Sequence, residues 1–287
     1  MTDDSTRLAV LIDADNTSSR LVKELFDELA AYGTITVKRA YGDWTNPHLG
    51  GWREVLLGNA ISPQQQFAYT SGKNATDSAL IIDAMDLLYS GNVEGFAIVS
   101  SDSDFTPLAT RLRESGKRVI GVGQRKTPKA FVEACEKFVF LEVLAGDDGG
   151  SDQSGGKDDQ PRPIQSVLTK ALNKVDTDDE DWASVSALGN HLNRTDPSFD
   201  SRSYGFAKLS DLVKGQPFVE TKSVVGQGGR GQLWVRLKKR RAAEKAAQPA
   251  EKASVEQPST KKTSAKKSAT RKSTAKKSAV AEPVQEV

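Results

Sequence analysis

The stretch Gly95-Phe96-Ala97-Ile98-Val99-Ser100-Ser101-Asp102-Ser103-Asp104-Phe105 decides the fold, because an apolar run passes directly into a pair of acids. The first five residues predict a short buried strand. The same arrangement occurs near the start of the chain, where the apolar run 8–12 is followed by Asp13 and Asp15. Carboxylates at the end of a buried strand are costly unless a cation balances them. Two strand ends of this kind therefore predict one site that binds a divalent metal.

Predicted strands and helices alternate through the first half of the chain, which indicates a mainly parallel sheet with helices on both faces. The expected strands span 8–12, 35–41, 66–70, 96–99, 119–122 and 138–141, and the expected helices span 18–32, 47–58, 76–89, 105–114 and 128–135. We therefore predict an α/β domain over residues 1–144.

The rest of the chain divides into three segments by composition. Residues 145–163 are rich in glycine and aspartate and predict a flexible acidic linker. Residues 164–237 have the pattern of three helices and a closing β-hairpin, which indicates a small winged-helix-like α+β module. Residues 238–287 consist largely of Lys, Ala, Ser and Thr and predict a disordered tail.

Charge is segregated along the chain in spite of a net charge of only +2. From Lys238 onward there are 14 Lys and Arg against 5 Glu, a net charge of +9, which leaves 26 basic against 33 acidic residues before it, a net charge of −7. An acidic body with a basic tail suggests contact with nucleic acid, in which case affinity falls steeply as salt rises. The alternative is a tail that only improves solubility.

Several classes of site are excluded by composition. Cys135 is the only cysteine, so neither an internal disulfide nor a cysteine metal cage can form. His48 and His191 are the only histidines, one in each predicted domain, so a histidine-based triad or zinc site is not expected. Neither a signal peptide nor an apolar run of the roughly 20 residues that span a bilayer is present. We therefore expect a soluble, cytoplasmic protein with no membrane partner.

The acids are expected to converge because ligands of an open parallel sheet bind beyond the carboxyl ends of its strands. Asp13 and Asp102 follow two such ends, Asp77 begins the helix after the loop 72–76, and Asp104 follows Asp102. Carboxylate oxygens suit Mg²⁺ or Mn²⁺, which can activate a water and neutralise charge on a phosphodiester. Each acid alone also fits a helix cap. The repeated pairing Asp13/Asp15 and Asp102/Asp104 favours the metal, whereas Asp15 and Asp83 remain open between site and solvent.

The first domain resembles the NYN domain, in particular its bacterial LabA-like members, over about residues 8–144. The resemblance rests on the motifs at 10–16, 73–77 and 100–108, which occur in the right order. It implies a PIN-like, metal-dependent ribonuclease in which Asp13, Asp77 and Asp102 bind Mg²⁺. In that family Asp104 would assist, and Asn16 would orient a ligand or phosphate. The family commonly has glycine before the second acid pair, where Ser101 stands here; this removes no ligand.

The second module resembles the OST-HTH/LOTUS domain over about residues 163–237. The motifs at 182–189, 197–200 and 204–209 carry this resemblance, with Tyr204-Gly205-Phe206 as its strongest part. Such domains bind RNA or protein partners. Six basic residues across the chain are predicted to contact nucleic acid: Lys73, Arg125, Lys126, Arg202, Lys208 and Arg230. The alternative is that they are only solvated, as isolated basic residues usually are.

These observations favour a metal-dependent ribonuclease whose second module and tail supply RNA affinity. The alternative is a non-catalytic RNA-binding or regulatory adaptor, in which the acids bind a structural ion or none. A third hypothesis, phosphatase-like chemistry on small phosphate esters, fits the acids but not the basic tail, which favours a polymeric substrate.

Overall fold

Six parallel strands form the sheet of the first domain in a computed structural model that describes residues 6–67, 75–145, 162–178, 180–225 and 231–238. The strands are β1 (Arg7–Asp13), β2 (Thr34–Gly42), β3 (Ser62–Gln65), β4 (Gly95–Val99), β5 (Arg118–Gly123) and β6 (Lys137–Phe140). Their order is β3-β2-β1-β4-β5-β6. From β1 the chain continues through β2 to β3 on one side of the sheet, and from β4 it continues through β5 to β6 on the other side. The switch point of the sheet therefore lies between β1 and β4.

Helices cover both faces of this sheet, which confirms the predicted α/β fold. They are α1 (Val22–Leu29), α2 (Trp52–Gly58), α3 (Ala75–Ser90), α4 (Thr106–Glu114), α5 (Lys129–Ala134) and α6 (Leu141–Leu144). On β1, Ala9 and Leu11 pack into a core cluster with α3 and α4, whereas Leu8, Val10 and Ile12 pack into a second cluster with α1 and α2. A strand buried on both faces explains the unbroken apolar run in the sequence.

Three predicted elements differ from the observed ones by more than one residue at an end. The helix expected at 18–32 is shorter, because Ser19–Leu21 forms a 3₁₀ turn before α1. The helix expected at 47–58 is divided at Gly50 and Gly51 into a 3₁₀ turn, Pro47–Leu49, and α2. The third strand is Ser62–Gln65, not 66–70, of which 68–70 lie outside the described residues. It is polar and contains Pro63, which an edge strand tolerates, so neither hydrophobicity nor periodicity marked it.

The second module contains the three predicted helices and the hairpin. Its elements are α7 (Ile164–Leu172), β7 (Ala183–Ser184), α8 (Val185–Thr195), α9 (Leu209–Lys214), β8 (Val219–Val225) and β9 (Gly231–Leu237). The strands form an antiparallel sheet in the order β7-β9-β8. Leu168, Leu188 and Leu212, one from each helix, pack against Val235 of β9 in a separate core. The short strand β7 was not predicted, because two residues carry no periodic signal.

The two domains contact each other, a point on which the sequence is silent. The backbone amide of Phe138 on β6 donates a hydrogen bond to the carbonyl of Pro197 (2.9 Å). The ammonium of Lys137 donates to the carbonyl of Phe199 (2.7 Å). The guanidinium of Arg202 forms ion pairs with Glu28 of α1 (2.8 Å) and with Asp200 (2.6 Å). Both domains belong to one compact unit.

In the part of the chain that the structure describes, no helix combines the length and the apolar character that crossing a membrane requires.

Candidate metal centre

Four of the predicted acids lie at the switch point of the sheet. β1 and β4 are neighbours, with Ile12 paired to Val99, so Asp13 and the segment from Ser100 leave the sheet side by side. The first turn of α3 carries Asp77 to the same edge. One carboxylate oxygen from each of Asp77, Asp102 and Asp104 lies within 4.8 Å of the other two. These three residues are called the acid cluster below, and Asp13 lies next to it.

Asp13 is completely buried, and its carboxylate is held by three hydrogen bonds. Asn16 donates to it from its backbone amide (3.2 Å) and from its side-chain amide (2.9 Å). The hydroxyl of Ser100 donates to the Oδ2 atom of Asp13 (2.7 Å). Burial raises the pKa of Asp13, and the bonds from Asn16 and Ser100 act in the opposite direction. These three hydrogen bonds therefore fix the orientation of the Asp13 carboxylate and favour its ionised form.

Asp77 is only 9% exposed, although it lies in the first turn of α3. Burial and the nearby charges, of which Asp13 and Asp102 are the strongest, raise the pKa of Asp77 to about 6. Carboxylates raise one another's pKa in this way when no cation stands between them. The acids are therefore close enough to interact as one electrostatic unit.

Asp102 and Asp104 occupy the turn that follows β4. The backbone amide of Asp104 donates to the Oδ1 atom of Asp102 (2.9 Å), so Asp102 caps the 3₁₀ turn Ser103–Phe105. The alternative interpretation as a helix cap is thus correct for this residue. Capping uses one oxygen of the Asp102 carboxylate, and the other oxygen remains able to bind a cation.

The residues present fit a hard divalent cation. The acid cluster offers carboxylate oxygens, the ligands that Mg²⁺ and Mn²⁺ prefer. Among the described residues, Asp13, Asp77 and Asp102 form no ion pair with a lysine or arginine. A mostly buried carboxylate with like charges around it and no basic partner is the arrangement that a bound cation stabilises.

Asp15 and Asp83, which the sequence leaves open between site and solvent, have partners outside the acid cluster. Asp15 accepts a hydrogen bond from the hydroxyl of Thr76 (2.8 Å), which connects the loop after β1 to the start of α3. Asp83, six residues further along α3 than Asp77, forms an ion pair with Arg39 and accepts a hydrogen bond from the hydroxyl of Tyr41. Asp83 therefore anchors α3 to β2.

Sequence reasoning missed Ser100, which bonds Asp13 and also accepts from the backbone amide of Asp102 (3.1 Å). A serine directly after the apolar run was its only signal. His48 lies in the 3₁₀ turn capped by Asn46. It also lines a cavity of about 310 Å³ together with Asp15 and Asn16.

The predicted basic contacts are in different surroundings. Arg125 and Lys126 follow β5 on the edge of the sheet that carries the acids. Arg202 is engaged by Glu28 and Asp200, and Lys208 is an exposed residue before α9. Lys73 and Arg230 lie outside the described residues.

A parallel sheet with acids at its switch point, followed by a small helical module with a β-hairpin, defines a two-domain protein of nuclease-like architecture. Residues 7–142 match the family model of the NYN domain, and residues 159–229 match that of the OST-HTH/LOTUS domain. The chain thus carries an NYN domain followed by an OST-HTH/LOTUS domain. NYN domains belong to the PIN-like nuclease superfamily, and LOTUS domains are associated with RNA binding.

Similar proteins have been found in several microorganisms. An uncharacterized protein of Methanocaldococcus jannaschii is 23% identical over 61% of this chain and 70% of its own. The crystal structure of a protein of unknown function from Vibrio parahaemolyticus covers 48% of this chain and 94% of its own, with 19% identity and a TM-score of 0.40. The solution structure of a Chromobacterium violaceum protein fragment covers 27% of this chain and 83% of its own, with 35% identity and a TM-score of 0.23.

Proposed function

We propose that this protein is a metal-dependent ribonuclease that hydrolyses phosphodiester bonds of RNA at the acid cluster. The observation that carries the proposal is the convergence of Asp77, Asp102 and Asp104 within 4.8 Å at the switch point of an NYN domain. The LOTUS domain and the basic tail support a polymeric nucleic-acid substrate.

The residues of the site have distinct roles in this proposal. Asp77, Asp102 and Asp104 would hold Mg²⁺ or Mn²⁺, with Asp13 beside them. A divalent ion bound there supplies charge neutralisation and an acidified water. Asn16 and Ser100 hold the buried carboxylate of Asp13 in one orientation. Asn16 also lines the small cavity with His48, and in this proposal the RNA strand approaches the acids past this amide and imidazole.

The test is cleavage of single-stranded and structured RNAs by the full chain with Mg²⁺, with Mn²⁺ or with a chelator. Asp102→Asn should lower the rate by on the order of 10²-fold or more, because a ligand and a negative charge of the site are lost. Asp86→Asn is the matched control, since Asp86 is an exposed acid on α3 outside the cluster, and it should cleave at the normal rate.

Two outcomes would contradict the proposal: no cleavage of any RNA with either metal, or equal cleavage by the Asp102→Asn variant. RNA binding that survives in the absence of any cleavage would instead favour the non-catalytic adaptor.

A further inference from the structure

A cavity of about 590 Å³ lies between the NYN and LOTUS domains. One wall is formed by residues 125–129, where the chain leaves β5 and enters α5, with Phe140 at the end of β6. The other wall is formed by Arg162 and by residues between 196 and 204. We call this cavity the interdomain cleft. Both domains are required to form it.

The strand end that leads into the interdomain cleft lies next to the strand end that carries Asp102. β5 is the neighbour of β4, with Val122 paired to Val99, and the amide of Gln124 donates to the hydroxyl of Ser101 (2.9 Å). Neighbouring strands are about 4.8 Å apart, so Arg125 follows a strand end that lies next to the one carrying Asp102. The carboxyl edge of the sheet therefore changes from acidic at β1 and β4 to basic at β5.

The charged lining of the cleft has an excess of positive charge. It comprises Arg125, Lys126, Lys129 and Arg162 against Glu133 and Asp196. Lys129 pairs with Glu133 (3.9 Å) and Arg162 with Asp196 (3.5 Å). Within the described residues Arg125 and Lys126 have no ion-pair partner. These two basic side chains of the cleft are thus available to an anion.

The cleft also offers aromatic rings and an unsatisfied hydroxyl. Phe140 and the half-buried Tyr204 lie on opposite walls, and the guanidinium of Arg125 lies 5.6 Å from the centre of the Phe140 ring. The hydroxyl of Ser203 is buried and has no hydrogen-bond partner among the described residues. Basic groups next to aromatic rings are the combination that binds the phosphates and bases of a single nucleic-acid strand.

We propose that the interdomain cleft binds single-stranded RNA adjacent to the bond at the acid cluster, an inference that rests on the proposed function. Arg125 and Lys126 contact phosphates next to that bond, and the strand continues between Phe140 and Tyr204 toward Arg162. The LOTUS domain thus contributes one wall of the substrate channel and does not act only as a remote tethering module.

The test measures binding of a fluorescein-labelled single-stranded RNA of mixed sequence to the full chain by fluorescence anisotropy. A chelator is present throughout, so that no cleavage occurs, and the salt concentration is varied. Arg125→Ala combined with Lys126→Ala should weaken binding several-fold and make the slope of log K against log salt shallower by about 1.4, since each phosphate contact on a single strand contributes about 0.7. Lys170→Ala combined with Lys174→Ala removes the same charge from exposed positions outside the cleft and should change neither quantity.

If RNA affinity and its salt dependence change equally in both double variants, or in neither, the cleft is not the binding site. A second readout is photo-cross-linking of the same RNA carrying 4-thiouridine, which should label the peptide that contains Tyr204. Labelling confined to the tail would contradict the proposal.

The test separates this proposal from the proposed function, because binding is measured without metal. A chain that binds RNA through the cleft but never cleaves it would refute the ribonuclease proposal and leave the cleft proposal standing. If the wild type cleaves RNA and the cleft variants bind RNA as tightly as the wild type, the ribonuclease proposal stands and the cleft proposal is refuted.

Discussion

At the scale of single residues, Ser100 is the least conspicuous member of the site and has two roles. Its hydroxyl donates to the buried carboxylate of Asp13 and accepts from the backbone amide of Asp102. It therefore connects the two strand ends that carry the acids. A residue that orients a ligand in this way affects activity without touching the substrate.

Ser100→Ala should lower the cleavage rate about 10- to 100-fold, because Asp13 loses one of the donors that fix its orientation. The measurement is the rate of RNA cleavage as a function of Mg²⁺ concentration, and the variant should need more metal to reach its maximum. Ser90→Ala at the opposite end of α3 is the control. An unchanged metal dependence in the Ser100 variant would contradict the connecting role.

Asp77 makes the stability of the metal-free protein depend on pH. Its pKa of about 6 in the folded state is above its ordinary value of 3.8, so its protonated form is favoured by folding. The resulting stability is fully present below about pH 4 and is lost as pH rises through about 6. Cations that bind the ionised cluster compensate for this loss.

Asp77→Asn should therefore raise the free energy of unfolding in chelator at pH 7.5 by roughly 1–2 kcal/mol and change it little at pH 4. Adding Mg²⁺ should raise the melting temperature of the wild type at pH 7.5 and have a smaller effect on the variant. Thermal unfolding of the full chain at both pH values checks this, with Asp86→Asn as control. A variant less stable than the wild type at both pH values would refute it.

At the scale of elements, the ends of β4 and β5 are packed so closely that only glycine fits at position 123. A Cβ atom on Gly123 would lie 2.6 Å from the carbonyl oxygen of Ser100 and 2.7 Å from the hydroxyl of Thr127. The absence of a side chain lets the backbone after β5 support the segment that carries Ser100 and Asp102.

Gly123→Ala should destabilise the protein by about 1–3 kcal/mol, the range for overpacking a tight site, and should also lower RNA cleavage because Ser100 must move. Gly58→Ala is the matched control, since no atom lies within 4 Å of its Cβ position, and alanine at the end of α2 should be neutral or stabilising. Urea unfolding and cleavage rates measure both effects. Normal cleavage by a stable Gly123→Ala variant would contradict the proposed support.

The parts of the fold and site that sequence could predict were those with a local signal. The apolar runs at 8–12 and 95–99 are strands because both faces are buried, and the acids after them converge because parallel strands end at one edge. β3 lacks such a signal, and Ser100 is one serine among many. The docking of the LOTUS domain depends on contacts such as Arg202 with Glu28, which lie far apart in the chain and follow no motif.

At the scale of the whole molecule, the domain interface contains a partly buried ion pair. The Glu28 carboxylate is 16% exposed and the Arg202 guanidinium 37% exposed, and two hydrogen bonds join them. Lys137 beside them is buried enough to lower its pKa, while the nearby Asp200 and Glu28 counteract this effect. Bidentate pairs of this kind are stronger than exposed ones.

A double-mutant cycle with Glu28→Ala and Arg202→Ala should give a coupling energy of about 1–2 kcal/mol in urea unfolding of the full chain. The comparison is the exposed pair Lys129–Glu133, for which we expect below about 0.5 kcal/mol. Arg202→Ala should also speed hydrogen exchange at the amide of Phe138, which donates across the interface. Equal coupling in the two cycles, with unchanged exchange, would show that the pair does not hold the domains together.

The hydrogen bond from Phe138 to Pro197 has a further consequence, for aggregation. β6 is the last strand of its sheet, and an uncovered edge strand can pair with the edge of another molecule. At the other edge, β3 is short and contains Pro63, which discourages such pairing. The LOTUS domain shields the β6 edge by occupying the amide of Phe138, so a fragment that ends at residue 145 would expose a site for self-association that the full chain keeps covered.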